Sequence, residues 1–140
     1  MGIPLWPEGV HPGTFSESRA ANAHALLQLA YATGGGAVGP FEDWWRLLSS
    51  DREYSPELCF PVYAGGEAIV AFAQCWTSAF VKDFAVHPDW QRRGIGRALL
   101  LHIFCVFQKK DALAVDLKVE ADNSGAIQFY QSLGMVHVPN

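Results

Sequence analysis

Val86-His87-Pro88-Asp89-Trp90-Gln91-Arg92-Arg93-Gly94-Ile95-Gly96-Arg97-Ala98-Leu99 reads as the end of a strand, a tight loop and the start of a long helix. The strand-like run from Ala79 to His87 stops at Pro88. From Gly94 to about Phe107 the period becomes helical, with Ile95, Leu99, Ile103, Val106 and Phe107 within one wide face. Much of the rest of that segment is apolar too, so the helix is expected to be buried on more than one side. Arg92, Arg93 and Arg97 bring three of the chain's 10 basic residues into this turn. Gly94 and Gly96 let backbone approach a ligand with no side chain in the way. Free amides at a helix start and the helix dipole both favour negative charge, so the segment predicts a pyrophosphate site. It is not a P-loop, because GxxxxGKS/T is absent, and it is not GxGxxG, because position 99 is Leu.

Downstream, Ala114 to Glu120 alternates, with Val115, Leu117 and Val119 on one side and Asp116, Lys118 and Glu120 on the other. That is the pattern of a half-buried strand. Asn123 can cap a helix running to about Leu133, Gly134 can terminate it in a left-handed conformation, and Met135 to Val138 is expected as a short closing strand. Upstream, the apolar runs Leu58 to Ala64 and Ala68 to Trp76 flank Gly65-Gly66 and predict a β-hairpin, with Pro61 placing the first run at an edge. Thr14 and Glu17 have capping-box spacing ahead of a helix from about Phe15 to Ala32, stopped by Gly34-Gly35-Gly36. A second helix starts at Pro40 and carries Phe41, Trp44, Trp45, Leu47 and Leu48. Residues 1–13 hold Pro4, Pro7 and Pro12 and are expected to be irregular. The order ααβββαβαβ predicts an α/β (α+β) fold: a mixed, mostly antiparallel central sheet flanked by helices.

The chain has 140 residues, half of them hydrophobic and 17% charged, which suits one folded domain over 1–140 and excludes a disordered polar protein. A net charge of −4 argues against wholesale binding to nucleic acid or anionic membrane. The longest apolar runs fall far short of the ~20 residues of a membrane helix. The N-terminus lacks the pattern of a secretory signal, and Cys59, Cys75 and Cys105 have no metal-site or disulfide spacing. A cytoplasmic protein with reduced thiols and no metal is the expectation.

Val86-His87-Pro88 followed by Gln91-Arg92-Arg93-Gly94-Ile95-Gly96 resembles the acetyl-coenzyme A signature of the GNAT superfamily of N-acetyltransferases. Asn123-Ser124-Gly125-Ala126-Ile127-Gln128-Phe129-Tyr130, then Gly134-Met135, resembles a second signature of the same family. The likeness covers Val62 to Val138 and extends to the first 60 residues only by helix order. It implies that Phe84 and Val86 pair their backbone with the pantetheine arm and that backbone amides from Arg92 to Arg97, with the arginine side chains, hold the pyrophosphate. Asn123 would contact the arm near the sulfur, and Tyr130 would protonate the leaving thiolate, a task that suits a phenol protonated at neutral pH. Relatives often carry a glutamate in the strand that ends V-x-P. Here that strand has Lys82 and Asp83, so Asp83 is the candidate base, acting directly or through water, and a purely structural role is its alternative. Trp44, Trp45 and Tyr54 are candidates for the acceptor wall, while His102 reads as a core histidine. The implied activity is acetyl transfer from acetyl-CoA to a primary amine by direct attack in a ternary complex. A non-catalytic acyl-CoA-binding sensor or interaction module is the alternative. The short closing strand points to a homodimer.

Overall fold

The computed structural model describes residues 2–138. The expected domain, 1–140, includes Met1, Pro139 and Asn140, which lie outside the described residues. The elements are β1 (Val10–Pro12), α1 (Ala20–Tyr31), α2 (Phe41–Ser49), β2 (Cys59–Ala64), β3 (Ala68–Trp76), β4 (Phe80–Val86), α3 (Ile95–Lys109), β5 (Asp116–Leu117) and α4 (Ser124–Ser132). The strands form one sheet in the order β1-β2-β3-β4-β5, antiparallel except for the parallel β4–β5 pair. The fold class is the one the sequence predicts.

Helices cover both faces. On one, Ile95, Leu99, Leu100, Ile103 and Phe107 of α3 pack over Val62, Ala71 and Val81, with Phe129 and Tyr130 of α4 joining at the margin. Ala98 to Leu101 are buried in succession, which on a helix means burial on every side. On the other face, Ala23, Leu26 and Leu27 of α1 and Trp44 and Leu48 of α2 pack over Phe72 and Ala85.

The N-terminal segment expected to be irregular holds β1, whose Val10, His11 and Pro12 pair with Ala64, Tyr63 and Val62. Pro12 ends that strand, where a missing N–H interrupts no ladder. β2 is therefore interior rather than the edge that Pro61 suggested. The Pro61 carbonyl accepts from the Gly13 amide at 2.9 Å, just past the end of β1, so the imino nitrogen points away from β3 and takes no bond from it. No capping box forms at Thr14: a 3-10 turn over Glu17–Arg19 precedes α1, without a side-chain cap.

The largest departure lies at the other end of the sheet. Across β3 and β4, Gln74 faces Asp83 and Cys75 faces Val81, so Lys82 is an extra residue, a β-bulge. β5 pairs with β4 only through Phe80–Asp116 and Val81–Leu117 and stops where the bulge bends β4 away. The alternation read over Ala114 to Glu120 survives as alternating burial, yet only two of its residues make a ladder. Met135 to Val138 form no strand. Gly134 does terminate α4 with φ +94°, and the Met135 amide bonds back to the Tyr130 carbonyl at 3.2 Å.

Candidate active site

The bulge bares one edge of β4. The His87 amide donates to the Val70 carbonyl of β3 at 2.8 Å. By antiparallel alternation the amides of Asp83 and Ala85 also face β3, and those of Phe84 and Val86 face the gap that β5 leaves. These amides and the carbonyls beside them line the gap as a half-ladder for an extended ligand, with the Phe84 amide and the Val86 carbonyl already engaged by side chains.

The loop to α3 closes one end of this gap. Gln91 Nε2 donates to the Val86 carbonyl at 3.2 Å, and Arg92 and Gly94 take left-handed conformations with φ of 64° and 87°. No side chain caps α3, and its ladder starts with the Ala98 amide on the Gly94 carbonyl at 3.1 Å, so the amides of Ile95, Gly96 and Arg97 lie outside it. A Cβ on Gly94 would meet nothing within 4 Å, which shows open space above the loop. Gly96 lies against β4 and α4: a Cβ there would stand 3.6 Å from both Val86 Cγ2 and Phe129 Cζ. Arg92 and Arg97 are exposed, while Arg93 lies over the Trp90 ring at 4.5 Å and donates to the Asp89 carbonyl at 3.2 Å. The Ile95 side chain is buried in the core, so only its backbone faces the loop.

α4 forms the other wall. Phe84 packs against Phe129 and Tyr130 with ring centroids 6.4 Å away in each case. Burial raises the Tyr130 pKa above the usual phenol range and no hydrogen bond contributes, so this hydroxyl is protonated and uncommitted among the described residues. Asn123 Oδ1 accepts from the Ala126 amide at 3.2 Å, the N-cap role, which leaves its amide nitrogen available.

Asp83 lies on the α1–α2 side and is 4% exposed. Its Oδ1 accepts from the Tyr31 hydroxyl at 3.2 Å, and its Oδ2 accepts from Trp44 Nε1 at 3.3 Å and Lys82 Nζ at 3.0 Å. Both oxygens are taken. Tyr31 also accepts from the Phe84 amide at 3.1 Å, so it links the carboxylate to the bared edge. Sequence reasoning missed Tyr31, which fell within the helix expected from about Phe15 to Ala32 and was not singled out. Trp44 contacts Asp83 directly, whereas Trp45 stacks on Phe15, Trp44 and Tyr54 at the margin of the same cluster. His102 packs edge-on against Trp6 and Phe60, and burial lowers its pKa, as for a core histidine.

A cavity of about 800 Å³ lies between β5, α4 and residues 133–138, and of the candidate residues Tyr130 lines it. Among the described residues, no cluster of His, Cys, Asp or Glu could hold a metal ion and no helix is long and apolar enough to cross a membrane.

A strand parted from its neighbour lies beside an uncapped, glycine-bearing helix start, and the family model for the acetyltransferase (GNAT) family matches residues 23–135. The chain belongs to that family. The ribosomal protein bS18 alanine N-acetyltransferase of Escherichia coli is 46% identical over 52 residues, which span 37% of this chain and 35% of that protein. The match therefore reaches about a third of the curated relative's length. The crystal structure of the corresponding Escherichia coli enzyme superposes with a TM-score of 0.78 at 26% identity, covering 93% of this chain and 79% of that one. A GCN5-related N-acetyltransferase from Sphaerobacter thermophilus gives a TM-score of 0.81 at 25% identity, covering 96% of this chain and 44% of that one.

Proposed function

We propose that the protein transfers the acetyl group of acetyl-CoA to a primary amine by direct attack in a ternary complex. The observation that carries the reading is convergence on one gap: the edge amides of Phe84 and Val86, the first held by the Tyr31 hydroxyl, the open helix start at Gly94–Gly96 and the uncommitted Tyr130 hydroxyl. In this reading the pantetheine arm completes the β4 half-ladder and Asn123 contacts it near the sulfur. The amides of Arg92 to Arg97, with the exposed Arg92 and Arg97 side chains, hold the pyrophosphate. The Phe84 amide faces the acetyl oxygen and stabilises charge as the amine attacks, and Tyr130 protonates the departing thiolate.

The acceptor lies on the Trp44, Trp45 and Tyr54 side. Its chemistry is open among small amines, amino acids, antibiotics and protein amines. A peptide starting with alanine is the first to test, given the relative named above. The test is thiol release from acetyl-CoA over those classes, corrected for hydrolysis. Acetyl-CoA binding without release for any amine would leave only an acyl-CoA-binding module. The three cysteines, unpaired in the fold, are the support for a reducing, cytoplasmic setting. The outer edge of β5 has no strand partner among the described residues, and a homodimer formed there is the expected state. Light scattering that reads 15.4 kDa at high concentration would exclude it.

A further inference from the structure

Asp83 is an isolated base. It is 4% exposed and is surrounded by three donors, so the route from the surface to its oxygens runs through one of them. The Trp44 indole and the Lys82 ammonium only donate, and neither can receive a proton from a substrate. A phenol does both. Of the three, Tyr31 alone has lone pairs to accept a proton and a hydroxyl hydrogen already aimed at Asp83 Oδ1 at 3.2 Å.

Its position is also held from outside the cluster. Gly36, in the loop after α1, lies so close to the ring that a Cβ there would come within 2.7 Å of Tyr31 Cζ. The same loop is pinned by His24 Nε2 to the Gly39 carbonyl at 2.7 Å. In the free protein the Tyr31 oxygen accepts from the Phe84 amide at 3.1 Å, the donor assigned above to the acetyl oxygen. Two acceptors share one N–H only as a weaker three-centre bond, so they compete for it.

We propose that Tyr31 is a catalytic residue that carries the attacking amine's proton to Asp83, and that it is freed for this when the acetyl carbonyl displaces it from the Phe84 amide. The proposal rests on the acetyl-transfer reading. The neutral amine nitrogen bonds to the thioester carbon and the C–S bond breaks. The nitrogen's proton passes to the Tyr31 oxygen as the Tyr31 proton passes to Asp83 Oδ1, and Tyr130 gives its proton to the thiolate. Asp83 has then gained one proton and Tyr130 has lost one, a difference that solvent exchange resets after product release. The titratable groups around Tyr31 are Asp83 and Lys82 of β4, Tyr130 of α4 and Cys59 of β2. The Cys59 thiol, pushed up to about 12 by burial and by Asp83, stays neutral. Burial and Asp83 also raise the Tyr31 pKa, so the phenol holds its proton until it receives another.

Tyr31→Phe and Gly36→Ala separate the parts of this proposal. Tyr31→Phe removes the competitor for the Phe84 amide, so calorimetric titration should show acetyl-CoA binding at least threefold tighter, with CoA binding unchanged. With any amine that wild type accepts, kcat at pH 7 should fall about 10²-fold, with part of the loss recovered at higher pH. Gly36→Ala keeps the hydroxyl but moves the ring, and should lower kcat without changing the affinity for CoA. Unchanged or weaker acetyl-CoA affinity in folded Tyr31→Phe overturns the displacement, and kcat within threefold of wild type with the same pH profile overturns the relay. Should wild type bind acetyl-CoA but release no thiol with any amine, the acetyl-transfer reading fails instead, and the affinity comparison still decides the displacement.

Discussion

The two sides of β4 do chemistry by different means. On the α3–α4 side the candidate site is built mostly from backbone: the amides of Phe84 and Val86, an uncapped helix start and a glycine, Gly94, that leaves the space above it open. On the α1–α2 side it is built from side chains, with Tyr31, Trp44 and Lys82 arranged around one carboxylate. Backbone donors suit a long ligand of fixed chemistry that must be held in register. Side chains suit proton handling and an acceptor of particular shape. The contrast teaches that substitutions on the first side should move cofactor affinity and those on the second should move turnover, with two exceptions: Tyr130, which belongs to turnover from the cofactor side, and Tyr31, which reaches across to the Phe84 amide and should move both.

The sharpest way to break the comparison is at Gly94. Valine there would project into the open space over the loop and strain a backbone at φ 87°, so acetyl-CoA binding should be abolished while the fold survives. Wild-type affinity in a folded Gly94→Val protein, measured by calorimetry, would remove the pyrophosphate assignment. Next in size, Tyr130→Phe should lower kcat by about 10²- to 10⁴-fold and leave acetyl-CoA affinity nearly unchanged. If kcat stays within about threefold while chemistry limits the rate, the general-acid role falls to solvent.

Arg92→Ala should weaken acetyl-CoA binding roughly tenfold, more at low salt than at high, because an exposed charge is screened. Arg93→Ala should cost less affinity, since that guanidinium is engaged with Trp90 and the Asp89 carbonyl; equal losses for the two would show that Arg93 leaves Trp90 when ligand binds. Smallest of all, Trp44→Phe deletes one bond to a buried carboxylate and should lower stability by about 1.5–3 kcal/mol in urea unfolding. Its acetyl-CoA affinity should not change, and a loss there would blur the division between the two sides.

The same division explains what the sequence could say. The loop from Gln91 to Gly96 and the α4 pattern from Asn123 to Tyr130 are local: residue types at fixed spacing that a single turn brings together. Asp83 was legible as a candidate through the resemblance, because relatives often carry an acid in the strand that ends V-x-P. Its partners were not, since Tyr31 and Trp44 stand 52 and 39 positions away and meet it only after α1 and α2 pack. The bulge at Lys82 was equally silent, because one extra residue leaves the apolar pattern of Phe80 to Val86 readable as a plain strand. β1 was missed because three prolines outweighed a three-residue pairing. The closing strand was expected from apolar residues alone, and apolar residues do not form a strand without an edge aligned to receive them.

The two-rung contact between β4 and β5 has a thermodynamic consequence. With only Phe80–Asp116 and Val81–Leu117 paired, β5 and α4 are joined to the rest of the sheet mainly by packing on α3 and Phe84, and should open more readily than β2 to β4. Hydrogen exchange on the free protein should therefore be fast over residues 114–134 and slow over β2 to β4. A ligand spanning the gap would close that difference, adding about 2.7 kcal/mol of stability at a concentration a hundredfold above its Kd. The cofactor would then act as a missing strand, fastening the halves of the sheet as well as supplying the acyl group.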